Sequence, residues 1–351
     1  MALGTALGTS PNSGITNHLD GGNWSPTIFS KKAQIAFRKT SVIESITNND
    51  YFGEIANMGD TVKIVKEPEI TVNAYTRGTD ITKQALDDEA FTLIIDMANY
   101  FAFSLDDVED ALTHINWMEM ASDRAAYKLR DEYDLDVLQY LCGWQGNSRN
   151  TTARGTKANS SAGTDELLAA NKLDITDFGG NDLGVASEVT SIPISAGGTY
   201  TPLAVLNRMK RIQDQNNVPA EGRWVVVDPV FVEELMDESS KFINNDFGSA
   251  GDMLRNGRLG GTVRGFQLYV SNNLPSEGTG AGTVLSTGSE TNFGVIVAGH
   301  SSAVATAQRI NKVETVRDND HFADVVRGLH MYGAKILRPE AIVTANYNLH
   351  S

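Results

Sequence analysis

The chain has very little cysteine and no long hydrophobic run. Cys142 is the one cysteine among 351 residues, so no internal disulfide can form, and this usage is typical of a reducing compartment. No apolar run approaches the roughly 18 residues of a transmembrane helix, and the N-terminus lacks a charged-then-apolar signal pattern. The sequence therefore predicts neither a membrane span nor secretion. Cys142 itself is expected to be a small buried apolar residue.

Motifs for catalysis, metals and nucleotides are also missing. The six histidines do not pair with cysteine at zinc spacing, and neither His-Glu-x-x-His nor Gly-x-Ser-x-Gly occurs. Asp110 and His114 stand four residues apart, as metal ligands on a helix can, but a surface ion pair is the simpler interpretation. The glycine-rich stretch 278–282 follows a proline-containing turn and not a buried strand. We therefore expect a non-enzyme with no cofactor and no metal.

Positive charge is scarce. Lys and Arg number 29 against 44 Asp and Glu, giving a formal net charge of −15, and such a chain repels nucleic acid on average. A local exception surrounds Phe37 and consists of Lys31, Lys32, Arg38 and Lys39. This cluster is either an arm that touches DNA or an acidic neighbouring surface, or a solvated helix face.

Alternating hydrophobicity at 91–105 predicts an unusually long strand. Every second position is apolar except Asn99: Phe91, Leu93, Ile95, Met97, Phe101, Phe103 and Leu105. At about 3.3 Å per residue the strand would span roughly 50 Å, against a radius of gyration of about 20 Å for a compact chain of this length. Residues 61–75 alternate similarly, with Pro68 making that strand an edge or interrupting it.

We predict a long antiparallel hairpin over 61–105 with an irregular tip at 76–90. The tip carries six charged residues: Arg77, Asp80, Lys83, Asp87, Asp88 and Glu89. A protruding hairpin leaves backbone groups unpaired and apolar side chains exposed to solvent unless other copies of the chain cover it. The pattern therefore favours an assembling protein, with two ordinary core strands joined by a surface loop as the alternative.

A long helix is predicted over 116–142. The apolar residues Trp117, Ala121, Ala125, Leu129, Tyr133, Val137 and Leu141 recur every four positions. Asn116 is a good N-cap and Gly143 a good C-terminal stop. Arg130 and Asp134 have ion-pair spacing. The last turns have little polar surface, so we expect that end to be buried.

The pattern of the remaining chain predicts an α/β lobe preceded by a polar region. Residues 145–200 are rich in Gly, Ser, Thr and Asn, which predicts an insertion or surface loop, with a short helix near 167–175. The α/β pattern predicts helices at Pro202–Gln215 and from Pro229 to Met236, and strands at Trp224–Val227 and Phe266–Val270.

The order of the predicted elements resembles that of the major capsid proteins of tailed bacteriophages with the Hong Kong 97-like fold. It is a long hairpin, then a short acidic helix at 106–114, then a long spine helix. The resemblance covers roughly 28–342. It is carried by IFSKKAQIAFRKTSVIESITNNDYFGEIANMGDTVKI (28–64), ANYFAFSLDDVEDALTHINWMEMASDRAAYKLRDEYD (98–134), LRNGRLGGTVRGFQLYVSNNLP (254–275) and VRGLHMYGAKILRPEAI (326–342).

The resemblance implies an α+β fold with recognisable parts. These are an N-terminal arm (1–50), an extended β-hairpin loop region (51–105), a peripheral domain with the spine helix (106–144), an insertion or surface loop region (145–201), an axial domain (202–295) and a return to the peripheral domain with the C-terminus (296–351). The hairpin tip and the basic arm residues would both contact neighbouring subunits.

The resemblance also implies a function. Pentamers and hexamers of the chain would close into an icosahedral head around double-stranded DNA, bound without sequence specificity and without a membrane. Only about 27 residues precede Ile28, so we expect a separate scaffolding protein, together with a portal and a possible decoration protein. The chain would assemble in the host cytoplasm and reside in the virion.

Alternative functions follow from the same residues. A nanocompartment shell protein shares the fold, and an enzyme built on the α/β lobe is a more distant alternative. Some relatives link subunits through an isopeptide bond, and Lys83 is the only lysine in the tip. The candidate partners Asn311 and Asn319 match no motif, so we expect no cross-link.

Overall fold

The computed structural model describes residues 41–48, 61–65, 70–78, 80, 83–84, 90–106, 117–143, 166–179, 191–195, 200–236, 262–277, 293–318 and 322–349. The α-helices within them are α1 (Ile43–Ile46), α2 (Trp117–Leu141), α3 (Pro202–Gln215) and α4 (Pro229–Leu235). The strands are β1 (Thr61–Val65), β2 (Ala90–Ile94), β3 (Met97–Asp106), β4 (Lys172–Leu173), β5 (Ile192–Ile194), β6 (Arg223–Val227), β7 (Thr262–Val263), β8 (Phe266–Val270), β9 (Ser276–Glu277), β10 (Phe293–His300), β11 (Val304–Arg317), β12 (Ala323–Ile336) and β13 (Val343–Leu349).

An eight-stranded sheet forms the α/β lobe, in the order β4-β13-β10-β6-β8-β7, with β5 on β13 and β9 on β10. Strand β6 is buried at all five positions, as expected for a central strand of a sheet that is covered on both faces. Helices α3 and α4 both begin with proline, behind the caps Thr201 and Asp228. The helices and strands predicted for this lobe are confirmed.

A second, three-stranded sheet has the order β11-β12-β3. Strands β11 and β12 form a hairpin of fourteen residues each, in which Val304 pairs with Ile336 and Arg317 with Asp324. Strand β3 lies antiparallel to β12, from Asp106 opposite Ala323 to Met97 opposite Tyr332. This long sheet is the surface on which the spine helix rests.

Helix α2 is the predicted spine helix, and its C-terminal half is buried. Tyr133 packs edge-on against Tyr332, with ring centroids 5.0 Å apart. Gly143 has a φ of 68°, a left-handed conformation that ends the helix as predicted. Cys142 is fully buried, as predicted, and burial raises the pKa of its thiol far above the usual range. Asn116, the predicted N-cap, lies outside the described residues.

The long strand predicted at 91–105 is wrong as one strand. The chain forms β2 and β3 with a break at Ile95–Asp96. Strand β2 pairs with β1, whereas β3 pairs with β12 in the other sheet. Among the described residues of the predicted partner strand, 61–65 form a ladder and 70–75 have no regular structure. The burial alternation continues through the break, with Leu93 and Ile95 both buried, so periodicity gave no sign of it.

Parts of the polar region 145–201 belong to the core, which corrects the surface-loop prediction for them. Strands β4 and β5 lie parallel to β13 at the edge of the large sheet, and Leu173 and Ile192 are fully buried. The short helix expected near 167–175 is a 3-10 turn, Ala169–Asn171, followed by β4. The predicted domain boundary between residues 295 and 296 falls inside β10. This strand pairs with both β6 and β13 in the large sheet.

Candidate assembly interface

The hairpin formed by β1 and β2 leaves the long sheet near the end where β11 begins and β12 ends. Thr61 pairs with Ile94 and Val65 with Ala90. At its base, Leu93 and Ile95 are buried against Ala305, Ala307 and Met331, so the hairpin is anchored on β11 and β12 by a small apolar cluster. The predicted hairpin is confirmed in this shorter form.

Beyond the hairpin, residues 70–76 carry large apolar side chains in solvent. Ile70 is 68% exposed, Val72 93% and Tyr75 73%. The backbone N–H of Thr71 donates to Oε1 of Gln84 at 3.0 Å, which ties this segment to the tip. An exposed apolar segment of this kind typically marks an interaction surface.

The predicted contact residues fall into two groups. Arg77, Asp80 and Lys83 lie in the tip and are exposed. The rest lie outside the described residues: Asp87, Asp88, Glu89, Lys31, Lys32, Arg38 and Lys39. For all of these residues, intersubunit contact stays a prediction.

The root of the N-terminal arm is held by a residue that sequence reasoning assigned differently. Asp134 on the spine helix is fully buried. Its Oδ1 accepts hydrogen bonds from the hydroxyl of Ser41 at 2.9 Å and from the backbone N–H groups of Val42 at 3.0 Å and Ile43 at 3.1 Å. Its Oδ2 accepts one from Nδ2 of Asn273 at 3.2 Å. These bonds replace the ion pair with Arg130 that the spacing suggested.

A cleft of about 510 Å³ separates the N-terminal half of the spine helix from the long sheet. Phe101, Tyr127, Arg130 and His330 contribute to its walls. Nε2 of His330 lies 3.3 Å from Oε1 of Gln308, and its buried Nδ1 has no hydrogen-bond partner among the described residues. Burial and the neighbouring Arg130 lower the pKa of His330, and Glu44 partly opposes them.

The described residues form neither a metal-ligand cluster nor a helix suited to a membrane. No group of three or more His, Cys, Asp or Glu side chains there is placed to hold a metal ion. In the same part of the chain, no helix combines the length and the apolar character needed to cross a membrane.

The architecture, with its hairpin, spine helix, long sheet and α/β lobe, is the Hong Kong 97-like capsid fold. A family model described as phage capsid protein matches residues 120–345, more than half of the chain. The chain therefore belongs to the phage capsid protein family, and it is a major capsid protein that forms the head of the virion. A comparison with curated proteins gave no match.

Several solved structures share the fold over nearly the whole chain. A chain from Mycobacterium phage Che8 is 23% identical, with 92% of this chain and 97% of that chain covered and a TM-score of 0.67. The capsid structure of cyanophage P-SCSP1u is 18% identical over 99% of both chains, with a TM-score of 0.66. The mature capsid of bacteriophage PhiM1 is 15% identical, covering 97% and 99%, with a TM-score of 0.61.

Proposed function

We propose that pentamers and hexamers of this chain close into an icosahedral shell around double-stranded DNA, each extended hairpin lying on a neighbouring subunit. The exposed apolar side chains of Ile70, Val72 and Tyr75 carry this proposal. Burying one such side chain is worth about 1.5–3 kcal/mol. A closed shell repeats the contact in every subunit, so many weak contacts add into a stable wall.

The division into arm (1–50), extended loop (51–105), peripheral domain (106–144 and 296–351) and axial domain (202–295) belongs to the same proposal. The spine helix with β11 and β12 supports the peripheral domain, and α3 and α4 with β6, β7 and β8 support the axial one. The basic arm residues Lys31, Lys32, Arg38 and Lys39 would contact an acidic neighbouring surface, since the chain carries a net charge of −15.

The accessory partners are also part of the proposal. A separate scaffolding protein would guide closure in the host cytoplasm, a portal would occupy one vertex, and a decoration protein is an optional addition. The packaged DNA would be held without sequence readout, because an acidic wall does not bind the genome tightly. The chain has no proposed catalytic role.

The experiment replaces residues 76–90 by a short turn containing Asn-Gly. We expect the subunit to fold, since both sheets and the spine helix stay intact, and its circular dichroism to match that of the wild type. Electron microscopy, with the scaffold present, should show shells that fail to close or that dissociate at lower temperature or higher salt. Normal shells of normal stability from the shortened chain would refute the intersubunit role of the tip.

A further inference from the structure

The hairpin crosses the long sheet at a place where three neighbouring positions have small residues. Ala305 and Ala307 on β11 and Gly333 on β12 lie side by side there, and Ala307 and Gly333 are directly paired. We call these three residues the small-residue saddle. Leu93 and Ile95 fill the space above it and are buried.

Gly333 is the residue of the saddle that permits the crossing. A Cβ atom on it would overlap the carbonyl oxygen of Ile94 and lie 3.0 Å from its carbonyl carbon and 3.1 Å from Cα of Ile95. These are backbone atoms, which cannot move aside by changing rotamer. Any side chain at 333 must therefore lift the chain that joins β2 to β3.

We propose that Gly333 is a positioning residue that sets the angle at which the extended hairpin leaves the long sheet. The Ile94 backbone rests directly on Gly333, and Ile94 is the last residue of strand β2. Four residues of β2 already extend about 14 Å from it, so a small tilt at the saddle becomes a larger displacement at the exposed apolar segment. This part of the inference rests on the proposed function: the angle affects assembly because the exposed apolar segment would contact a neighbouring subunit.

A direct test measures the arm in the unassembled full-length subunit. Spin labels on Val72→Cys, in the exposed segment, and on Glu233→Cys, exposed on α4, give a distance by pulsed electron resonance. Cys142 is fully buried, so it does not compete for the label. Gly333→Ala should shift the distance by at least about 5 Å, or broaden its distribution about twofold relative to the Gly333 protein.

Gly328→Ala on the same strand is the matched control. A Cβ atom there would meet the ring of Phe101, with Cδ1 at 3.2 Å, which is a side chain that can rotate without moving the hairpin. The control should leave the label distance unchanged. If Gly333→Ala does not fold, Ile95→Ala takes its place, because removing the filler of the saddle should broaden the distance distribution while the lobe stays folded.

Electron microscopy of assembled particles then links the angle to the shell. Gly333→Ala should give at least fivefold fewer closed shells than the wild type, or shells of altered diameter, and Gly328→Ala should give shells of wild-type diameter. An unchanged label distance in a folded Gly333→Ala or Ile95→Ala subunit would overturn the positioning role. If the wild type itself never forms shells, a shifted distance in Gly333→Ala would still support the positioning role and would contradict the proposed function.

Discussion

The carboxylate of Asp134 accepts a hydrogen bond from the backbone N–H of Val42 at 3.0 Å, joining the root of the N-terminal arm to the spine helix across 92 positions of sequence. The same oxygen also accepts from Ile43, the first residue of α1. A carboxylate at the start of a helix satisfies N–H groups that have no partner within the helix. The spine helix therefore supplies the cap that α1 lacks locally, and fixes where the arm begins.

Asp134→Ala should lower the free energy of unfolding by about 3 kcal/mol, because it leaves several buried donors without an acceptor. Asp134→Asn should lose less, since an amide oxygen still accepts. Chemical denaturation of the unassembled subunit measures both. Glu132→Ala, at an exposed position of the same helix, should change stability by no more than about 0.5 kcal/mol. Equal losses at 132 and 134 would contradict the capping role.

Tyr347→Phe should also be destabilising. The Tyr347 hydroxyl donates to Asp228, which caps α4, and burial raises the pKa values of both groups. Without that donor, the mostly buried carboxylate loses a charge-assisted hydrogen bond, and we expect about 1.5–3 kcal/mol less stability. Tyr100→Phe is the control because Tyr100 is 77% exposed. Equal denaturation midpoints for the two variants would contradict a stabilising role of the hydrogen bond between Tyr347 and Asp228.

Acid should lower the stability of the folded subunit through protonation of His330. Its pKa is lower in the folded chain than in the unfolded one, so the unfolded state binds more protons and stability rises with pH. The contribution of His330 is complete above about pH 6.5 and is lost as the pH falls toward the folded pKa. The melting temperature of the wild type should therefore fall more between pH 7 and pH 5 than that of His330→Gln. Parallel curves for the two proteins would rule out His330 as the cause.

Val72→Ser should separate subunit stability from shell stability. Val72 is 93% exposed, so thermal unfolding of the unassembled subunit should change by no more than about 0.5 kcal/mol. If its side chain is buried on a neighbour, each copy loses on the order of 1 kcal/mol of contact, and shells should dissociate at lower denaturant concentration. Asn73→Ser, the next residue, removes no apolar surface and should leave shells unchanged. Indistinguishable shells from the two variants would place Val72 outside the contact.

Local sequence determined the regular elements of this protein. The spine helix, the helices after Pro202 and Pro229, and the strands at 223–227 and 266–270 follow from apolar periodicity, proline at the first turn and capping side chains. These signals act within a few residues of one another, so a single chain displays them. The resemblance to the family is carried by 28–64, 98–134, 254–275 and 326–342, which include most of the spine helix and the strand at 266–270.

Tertiary structure alone decided how those elements meet. The alternation from Phe91 to Leu105 is broken only at Asn99, yet the chain changes sheet at Ile95–Asp96, where its backbone lies on Gly333 from the far end of the sequence. Asp134 looked like the partner of Arg130 one turn away and instead caps an arm 92 residues upstream. Such relations depend on which distant backbone lies within hydrogen-bonding or contact distance, and that is set only when both sheets and the spine helix have packed.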